Sequence, residues 1–180
     1  MKNKMKVKQI FIASDHAGYK LKQSIIKKYS KLKKITDLGP FSNNSVDYPD
    51  FAKKLSKKVA GNKGSFGILI CGSGMGMAIA ANKTRNVRAA LCYSKKNTQL
   101  SRLHNNANII TLGERLIDKN NAFSLIKIFL STKFEGGRHL RRIKKIFTRL
   151  IAFFLLINLS PNVMMFALLC NRDNLVFLTL

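Results

Sequence analysis

The stretch ILICGSGMGMAIAANK, residues 68–83, predicts a buried strand that ends in a cysteine and opens through a glycine-rich turn into a helix. The unbroken apolar run before Cys71 is typical of a strand covered on both faces. The glycines at 72, 74 and 76 favour a bound phosphate or other anion, whereas the thiol is either a reactive group or a small buried hydrophobe. Their spacing excludes the dinucleotide-binding fingerprint, which is G-x-G-x-x-G with an acidic residue about 20 positions later. Residues 91–97 hold no acid.

Short apolar strands alternate with helical patterns on both sides of this stretch. Strands are predicted over residues 7–14, 35–39, 66–71, 87–93 and 107–113. Helices are predicted over 18–34 and 50–60, after the glycine turn, after the fourth strand to about 104, and over 118–132. Strands separated by helices imply βαβ units and a parallel sheet. We therefore predict an α/β fold: a single Rossmann-like three-layer domain with a five-stranded, mainly parallel sheet and helices on both faces, followed by a C-terminal helical extension.

The charge of the chain is unusually positive, with 33 Lys+Arg against 8 Asp+Glu and a net charge of +25. Such a field attracts nucleic acid, anionic lipid or anionic metabolites. The lysines are scattered over outer helix faces, and neither an aromatic RNA-reading motif nor zinc-finger spacing accompanies them. A lysine-rich solvated surface is therefore favoured, and we expect no nucleic-acid partner.

The three cysteines, Cys71, Cys92 and Cys170, include no C-x-x-C pair. An odd count without that spacing argues against a disulfide framework and a zinc site, and it suits a reducing cytoplasm. The basic N-terminus precedes only about eight apolar residues without a small-residue cleavage site, so we predict no signal peptide.

The composition changes near residue 150. Residues 151–180 are apolar, with one basic and one acidic residue, and residues 1–150 carry the whole net charge. We divide the chain into a domain at 1–148 and a hydrophobic C-terminal extension of unknown role at 149–180. Asn158, Ser160, Pro161 and Asn162 interrupt its apolar runs, which are well short of the roughly 20 residues that a spanning helix needs. The alternatives are a membrane-attached segment, which we do not favour, an extra helix packed on the domain, and an extension without function.

Polar residues near the predicted strand ends are candidates for chemistry, because ligands of open α/β sheets gather at the carboxyl ends of strands. We place there Asp15 with His16 after the first strand, Cys71 after the third, and His104 with Asn105 just before the fifth. Backbone N–H groups at a helix start favour the thiolate form of a cysteine and stabilise an oxyanion. Each residue alone has a structural alternative: an inert buried thiol, a surface or core histidine, or a helix cap for Asp15.

Five motifs appear in one order along the chain: SDHAGYKLK (14–22), DYPDFA (47–52), GILICGSGMGMAIAANK (67–83), RLHNNANIITLGER (102–115) and FEGGRHLRRI (134–143). Together they resemble the B-type ribose-5-phosphate isomerases, within the wider family that includes galactose-6-phosphate isomerase subunits. The resemblance runs from about residue 6 to residue 146. It implies that the domain at 1–148 is a sugar-phosphate isomerase domain.

The resemblance implies an aldose–ketose isomerase of the non-oxidative pentose phosphate pathway. Such an enzyme moves a proton between C1 and C2 of ribose 5-phosphate and ribulose 5-phosphate through an enediol(ate), without a metal or other cofactor. It also implies a cytoplasmic homodimer or homotetramer whose site is shared between subunits. Cys71 matches the base, and Ser73 matches its hydroxyl partner. His104 matches the residue that opens the sugar ring, with Asp15 assisting. The other matched substrate contacts are His16, Tyr48, Gly72, Gly74, Met75, Gly76, Asn105, Arg115, Arg138 and Arg142.

The chemistry of several residues agrees with these roles. A guanidinium binds a phosphate bidentately, and a helix over 137–147 would place Arg138 and Arg142 on one face. His139 and Arg141 would then point elsewhere. One branch of the family uses a glutamate base a few residues after the cysteine position, where this chain has Met75, Gly76 and Met77. Cys71 must therefore be the base of an active enzyme.

Two other functions stay open from the sequence. A hexose-6-phosphate isomerase of the allose or galactose type differs in its substrate by one carbon. A basic nucleic-acid-binding protein on an inactive isomerase scaffold belongs to another class, and the full set of site positions argues against it.

Overall fold

The computed structural model describes residues 7–30 and 34–146 of the chain. The chain divides into two units after Gly136, and the second is described over residues 137–146 alone. The strands are β1 (Gln9–Ser14), β2 (Ile35–Asp37), β3 (Ser65–Cys71), β4 (Ala89–Leu91) and β5 (Ile109–Gly113). The helices of the first unit are α1 (Tyr19–Tyr29), α2 (Tyr48–Gly61), α3 (Met75–Asn82), α4 (Lys95–Leu103) and α5 (Lys119–Ser131). A further helix, α6, spans residues 137–146 in the second unit.

The five strands form one parallel sheet in the order β2-β1-β3-β5-β4. β3 lies at the centre and is buried at all seven residues, which explains its unbroken apolar sequence. Ile12 of β1 is in register with Ile68 of β3, and Leu69 of β3 with Thr111 of β5. The edge strands β2 and β4 have three residues each. The predicted five-stranded parallel sheet is confirmed.

Two apolar layers cover the two faces of the sheet. On one face, side chains of α1 and α5 such as Ile25 and Phe129 pack against Ile68 and other residues of the central strands. On the other face, Leu55 of α2 and Met77 of α3 pack against the opposite side chains of the same strands. Burying each such side chain stabilises the fold by about 1.5–3 kcal/mol. The predicted three-layer arrangement with helices on both faces is therefore confirmed.

Several element boundaries differ from the prediction. α1 ends at Tyr29 rather than near residue 34, because the Lys34 carbonyl already accepts the Ile10 N–H at the edge of β1 (2.7 Å). The predicted fourth strand over 87–93 is reduced to Ala89–Leu91, since an edge strand pairs on one side only. The predictions for the extension at 149–180 lie outside the described residues.

The strand order places a crevice between β1 and β3. The chain leaves β1 toward β2 on one side, and it leaves β3 toward the opposite half of the sheet. The helices that follow them, α1 and α3, cover opposite faces. Ligands of open α/β sheets bind at such a switch point, at the carboxyl ends of the strands.

Within residues 7–30 and 34–146, no helix combines the length and apolar character needed to cross a membrane.

Candidate functional site

The Cys71 thiol lies at the carboxyl end of β3, three residues before the N-cap of α3. The Gly74 N–H donates a hydrogen bond to Cys71 Sγ at 3.1 Å. Cys71 is buried, with an exposed fraction of 5 %. The thiol therefore lies beside the backbone N–H groups at the start of α3. The predicted placement of a thiol at a helix start is confirmed by this geometry.

The glycines of this turn allow two loops to approach each other closely. Gly74 has a φ of +77°, and a Cβ there would lie 2.7 Å from Leu91 Cδ1 and 2.9 Å from the Leu112 carbonyl carbon. A Cβ at Gly113, the last residue of β5, would lie 2.7 Å from the carbonyl oxygen of Ser73. The turns after β3 and β5 therefore contact each other through their backbones, which leaves no room for larger residues.

Arg115 and Tyr48 flank the two ends of the turn. A Cβ added to Gly72 would lie 3.2 Å from Arg115 Cζ, and one added to Gly76 would lie 2.8 Å from the Tyr48 ring. Ser73, between these ends, accepts the Met75 N–H through its hydroxyl oxygen at 3.3 Å. The two side chains come from the turn after β5 and the start of α2, so the fold gathers predicted substrate contacts that lie far apart in sequence.

Asp15 follows β1 and lies directly beside β3. Its N–H donates to the Ile70 carbonyl at 3.0 Å, and its Oδ1 accepts the Gly18 N–H at 2.8 Å. This contact fixes the turn before α1, but Asp15 does not cap the helix as the structural alternative expected, because the N-cap is Gly18 and it has no side-chain cap hydrogen bond. A carboxylate has two oxygens, and Oδ2 retains its capacity to accept a hydrogen bond from a ligand.

The His16 ring is oriented by the loop that joins β2 to α2. Its Nδ1 lies 3.3 Å from both the N–H and the carbonyl oxygen of Val46. Either tautomer makes one hydrogen bond there, because Nδ1 accepts when it carries no proton and donates when it carries one. The opposite ring nitrogen, Nε2, keeps its own capacity to bind a ligand.

The expectation that His104 and Asn105 lie at the carboxyl ends of the strands is wrong. They follow α4 and precede β5, so they lie at the amino edge of the sheet. Cys71 is in register with Gly113, the far end of β5 from Ile109. β5 alone separates the two edges by roughly 13 Å at about 3.3 Å per residue. One chain therefore does not bring His104 to Cys71.

Arg102 holds the turn that carries His104, a role that the sequence did not indicate. It is 3 % exposed, and its guanidinium donates to Asn106 Oδ1 at 3.0 Å, to the Ala107 carbonyl, and to the Thr132 carbonyl at 3.2 Å. Burial, and secondarily the charge of Arg88, lowers the pKa of Arg102 to about 10.

A carboxylate that the sequence reasoning missed lies near His104. Glu135 Oε2 is 3.9 Å from His104 Nε2, and both side chains are partly exposed. The Glu135 N–H donates to the Leu103 carbonyl at 3.1 Å, which fixes the backbone of Glu135 against the end of α4. The motif FEGGRHLRRI contains Glu135, but nothing in its spacing indicates a contact with His104.

The two arginines predicted to bind phosphate lie on α6 in the second unit. Arg138 and Arg142 are both exposed and are four residues apart on this helix, whereas His139 is buried. The predicted helical spacing is confirmed within that unit.

Comparisons with known proteins agree with this architecture. The family model described as ribose/galactose isomerase matches residues 10–146. Ribose-5-phosphate isomerase B of Escherichia coli is 37 % identical over 141 residues, which cover 78 % of this chain and 95 % of that protein.

Two solved structures are similar in fold and sequence. A ribose 5-phosphate isomerase from Thermotoga maritima has a TM-score of 0.74 and 50 % identity, covering 77 % of this chain and 96 % of that one. Ribose-5-phosphate isomerase B from Mycoplasma genitalium, solved with bound ribulose-5-phosphate, has a TM-score of 0.72 and 46 % identity, covering 77 % and 93 %. The chain is therefore an isomerase that belongs to the ribose/galactose isomerase family.

Proposed function

We propose that the chain interconverts ribose 5-phosphate and ribulose 5-phosphate, with Cys71 as the base. The observation that carries this proposal is the hydrogen bond from the Gly74 N–H to Cys71 Sγ at the switch point of the sheet. It is supported by the ribulose-5-phosphate bound to the similar protein of Mycoplasma genitalium. The base must be a reduced thiol, which supports a role in the cytoplasm, in the non-oxidative pentose phosphate pathway.

The proton transfer begins at C2 of the open-chain aldose. The Cys71 thiolate takes the C2 proton, the C2–H electron pair forms the C1–C2 double bond, and the C1 carbonyl oxygen becomes an enediolate oxygen. N–H groups in the first turn of α3 stabilise that oxygen. A proton then moves from O2 to O1, with the Ser73 hydroxyl as the nearby relay. Cys71 returns its proton to C1 while the carbonyl forms at C2, so the thiolate is regenerated.

The remaining residues are proposed to bind and open the substrate. Asp15 accepts a hydrogen bond from the sugar, and Tyr48 contacts the sugar beside Gly76. The phosphate is bound by cations and His16, since a dianion prefers guanidinium partners; the proposed arginines are Arg115, Arg138 and Arg142. His104 transfers a proton from the anomeric hydroxyl to the ring oxygen, with Asn105 as a further contact.

The separation of His104 from Cys71 supports a site that is shared between two copies of the chain. His104 lies at the amino edge of the sheet and Cys71 at the carboxyl edge, so a second subunit must supply His104 if both act on one sugar. We therefore propose a homodimer or homotetramer. In a two-fold dimer each site would combine Cys71 of one subunit with His104 of the other.

Substitution of the base tests the chemistry. Cys71→Ala is expected to lower kcat for ribose 5-phosphate by about 10²–10⁴-fold, as is typical when a general base is lost. The fold should be retained, as measured by circular dichroism. Cys92→Ala, which removes another buried thiol, is the matched control and should keep its turnover. Near-normal turnover of Cys71→Ala would contradict the proposed role.

Substrate comparison tests the assignment of the sugar. The value of kcat/KM is measured for ribose 5-phosphate, allose 6-phosphate and galactose 6-phosphate with the same preparation. We expect the pentose phosphate to give the highest value. A higher value for either hexose phosphate would assign the chain to hexose-phosphate isomerisation instead.

Mixing of two inactive variants tests the shared site. Cys71→Ala and His104→Asn homodimers are each expected to be inactive. After subunit exchange, half of the dimers are hybrids with one intact site of two, so about a quarter of the wild-type activity should return. Absence of recovery after demonstrated exchange would contradict a shared site.

A further inference from the structure

Lys22 is buried in a chain whose other lysines give it a strongly charged surface. The side chain belongs to α1 and is 0 % exposed. Its ammonium group donates to Asp37 Oδ1 at 2.7 Å, to Asp37 Oδ2 at 2.8 Å and to the Pro40 carbonyl at 2.6 Å. The rings of Tyr19 and Phe41 lie 5.4 and 5.6 Å from Nζ. All its acceptors and both of these rings are therefore found close to the end of β2 or on α1.

A contribution to stability does not by itself explain why the Lys22–Asp37 ion pair is buried. Removing two charges from water costs about as much as their attraction returns, and apolar side chains of similar volume often serve stability equally well. The distinctive feature of Lys22 is the third acceptor, the Pro40 carbonyl. Asp37 Oδ1 also accepts the Gly39 N–H at 2.9 Å, so the ion pair fixes the backbone of residues 39 and 40.

β2 and α2 are joined by residues 38–47, and Gly39 and Pro40 begin the part that follows Leu38, the loop 39–47. The Tyr19 hydroxyl donates to the Phe41 carbonyl of this loop at 3.2 Å. Near its other end, Val46 makes the backbone contact that orients His16. The next helix begins at Tyr48, whose ring lies against Gly76 of the glycine turn. The loop therefore connects the buried lysine to two proposed substrate contacts.

We propose that Lys22 is a positioning residue for the sugar-phosphate site, acting through the Pro40 carbonyl and the loop 39–47 on His16 and Tyr48. The inference rests on the proposed function. The Cys71–Gly74 contact belongs to the turn after β3, which is a different segment. Loss of the Lys22 contact should consequently weaken substrate binding much more than it slows the proton transfer.

The experiment uses the double variant Lys22→Met/Asp37→Asn. Lys22→Met alone leaves a buried carboxylate without its cation, which disfavours folding. The double variant removes both charges at similar volume, and the amide oxygen introduced at position 37 can still accept the Gly39 N–H. We expect KM for ribose 5-phosphate to rise about tenfold, as for the loss of a hydrogen bond from a charged group. We expect kcat to stay within about twofold. The inhibition constant of inorganic phosphate should rise in parallel with KM, because His16 is proposed to contact the phosphate.

Lys54→Met is the matched control. Its ammonium group donates to the Leu38 carbonyl at 2.9 Å, one residue before the loop, but its side chain is exposed. Water replaces that bond, so KM should change by less than about twofold.

Three outcomes overturn the inference: an unchanged KM in the folded double variant, a fall in kcat alone, or a double variant that is unfolded at 25 °C. A fall in kcat without a change in KM would mean that fewer molecules are active, not that substrate binding is weaker. An unfolded double variant would mean that the Lys22–Asp37 pair is required for folding. Absence of isomerase activity in the wild-type chain would instead refute the proposed function.

Discussion

Gly74→Ala tests whether the close contact between the turns after β3 and β5 is as tight as the structure shows. The φ of +77° is costly for any residue with a Cβ, by about 1–2 kcal/mol. The new methyl group would also lie 2.7 Å from Leu91 Cδ1 and 2.9 Å from the Leu112 carbonyl carbon. Relief of such overpacking typically costs about 1–3 kcal/mol. The two effects lower the free energy of unfolding by roughly 2–5 kcal/mol, a large share of the roughly 5–15 kcal/mol of a typical domain.

Gly64→Ala separates these two effects. Gly64 has a similar φ of +86°, but its nearest neighbour is Cδ of the flexible Lys8 side chain, 3.3 Å from the added Cβ. It should therefore lose only about 1–2 kcal/mol, the backbone contribution. Urea unfolding followed by circular dichroism measures both variants. Equal destabilisation of Gly74→Ala and Gly64→Ala would refute the argument that the two turns leave no space for a methyl group.

Two further predictions follow from the pKa shifts of Cys92 and Asp118. Iodoacetamide should alkylate Cys71 and leave Cys92 unmodified in the folded protein, because burial raises the pKa of the Cys92 thiol; peptide mass spectrometry tests this, and equal labelling would contradict it. Hydrogen bonds, first from the Asn121 N–H, lower the pKa of the Asp118 carboxyl at the start of α5. The folded state then binds fewer protons than the unfolded state, so this stabilisation is present above pH 3.8 and declines as the pH falls through the lowered pKa. The Tm difference between wild type and Asp118→Ala should accordingly narrow in acid, and a constant difference would refute the assignment.

The elements of the fold could be predicted from the sequence because their signals are local. The apolar run at 66–71 predicts a strand that the structure extends by one residue to Ser65–Cys71. The strand order could not be predicted in this way, since β5 lies between β3 and β4 through contacts between distant segments. The burial of Lys22 could not be predicted either, because it also depends on a contact between distant segments. A lysine in an amphipathic helix indicates a solvated face, and its partner Asp37 lies 15 residues further along the chain.

The candidate site was predictable where a motif is continuous. The Cys71 turn and the helical spacing of Arg138 and Arg142 agree with expectation. The prediction for His104 is wrong because closeness to a strand in sequence does not determine the edge of the sheet, whereas the direction of the strand does. A residue that precedes a parallel strand lies at the amino edge, a rule that requires only the element order.

The position of His104 at the edge opposite Cys71 has a kinetic consequence. If each site needs two chains, the specific activity of the enzyme is not a constant of the polypeptide. It should fall when the protein is diluted below the dissociation constant of its assembly, and recover with second-order kinetics on concentration. The rate of isomerisation in a cell would then depend on the enzyme concentration in two ways. A higher concentration increases the number of chains and also the fraction of chains that is assembled.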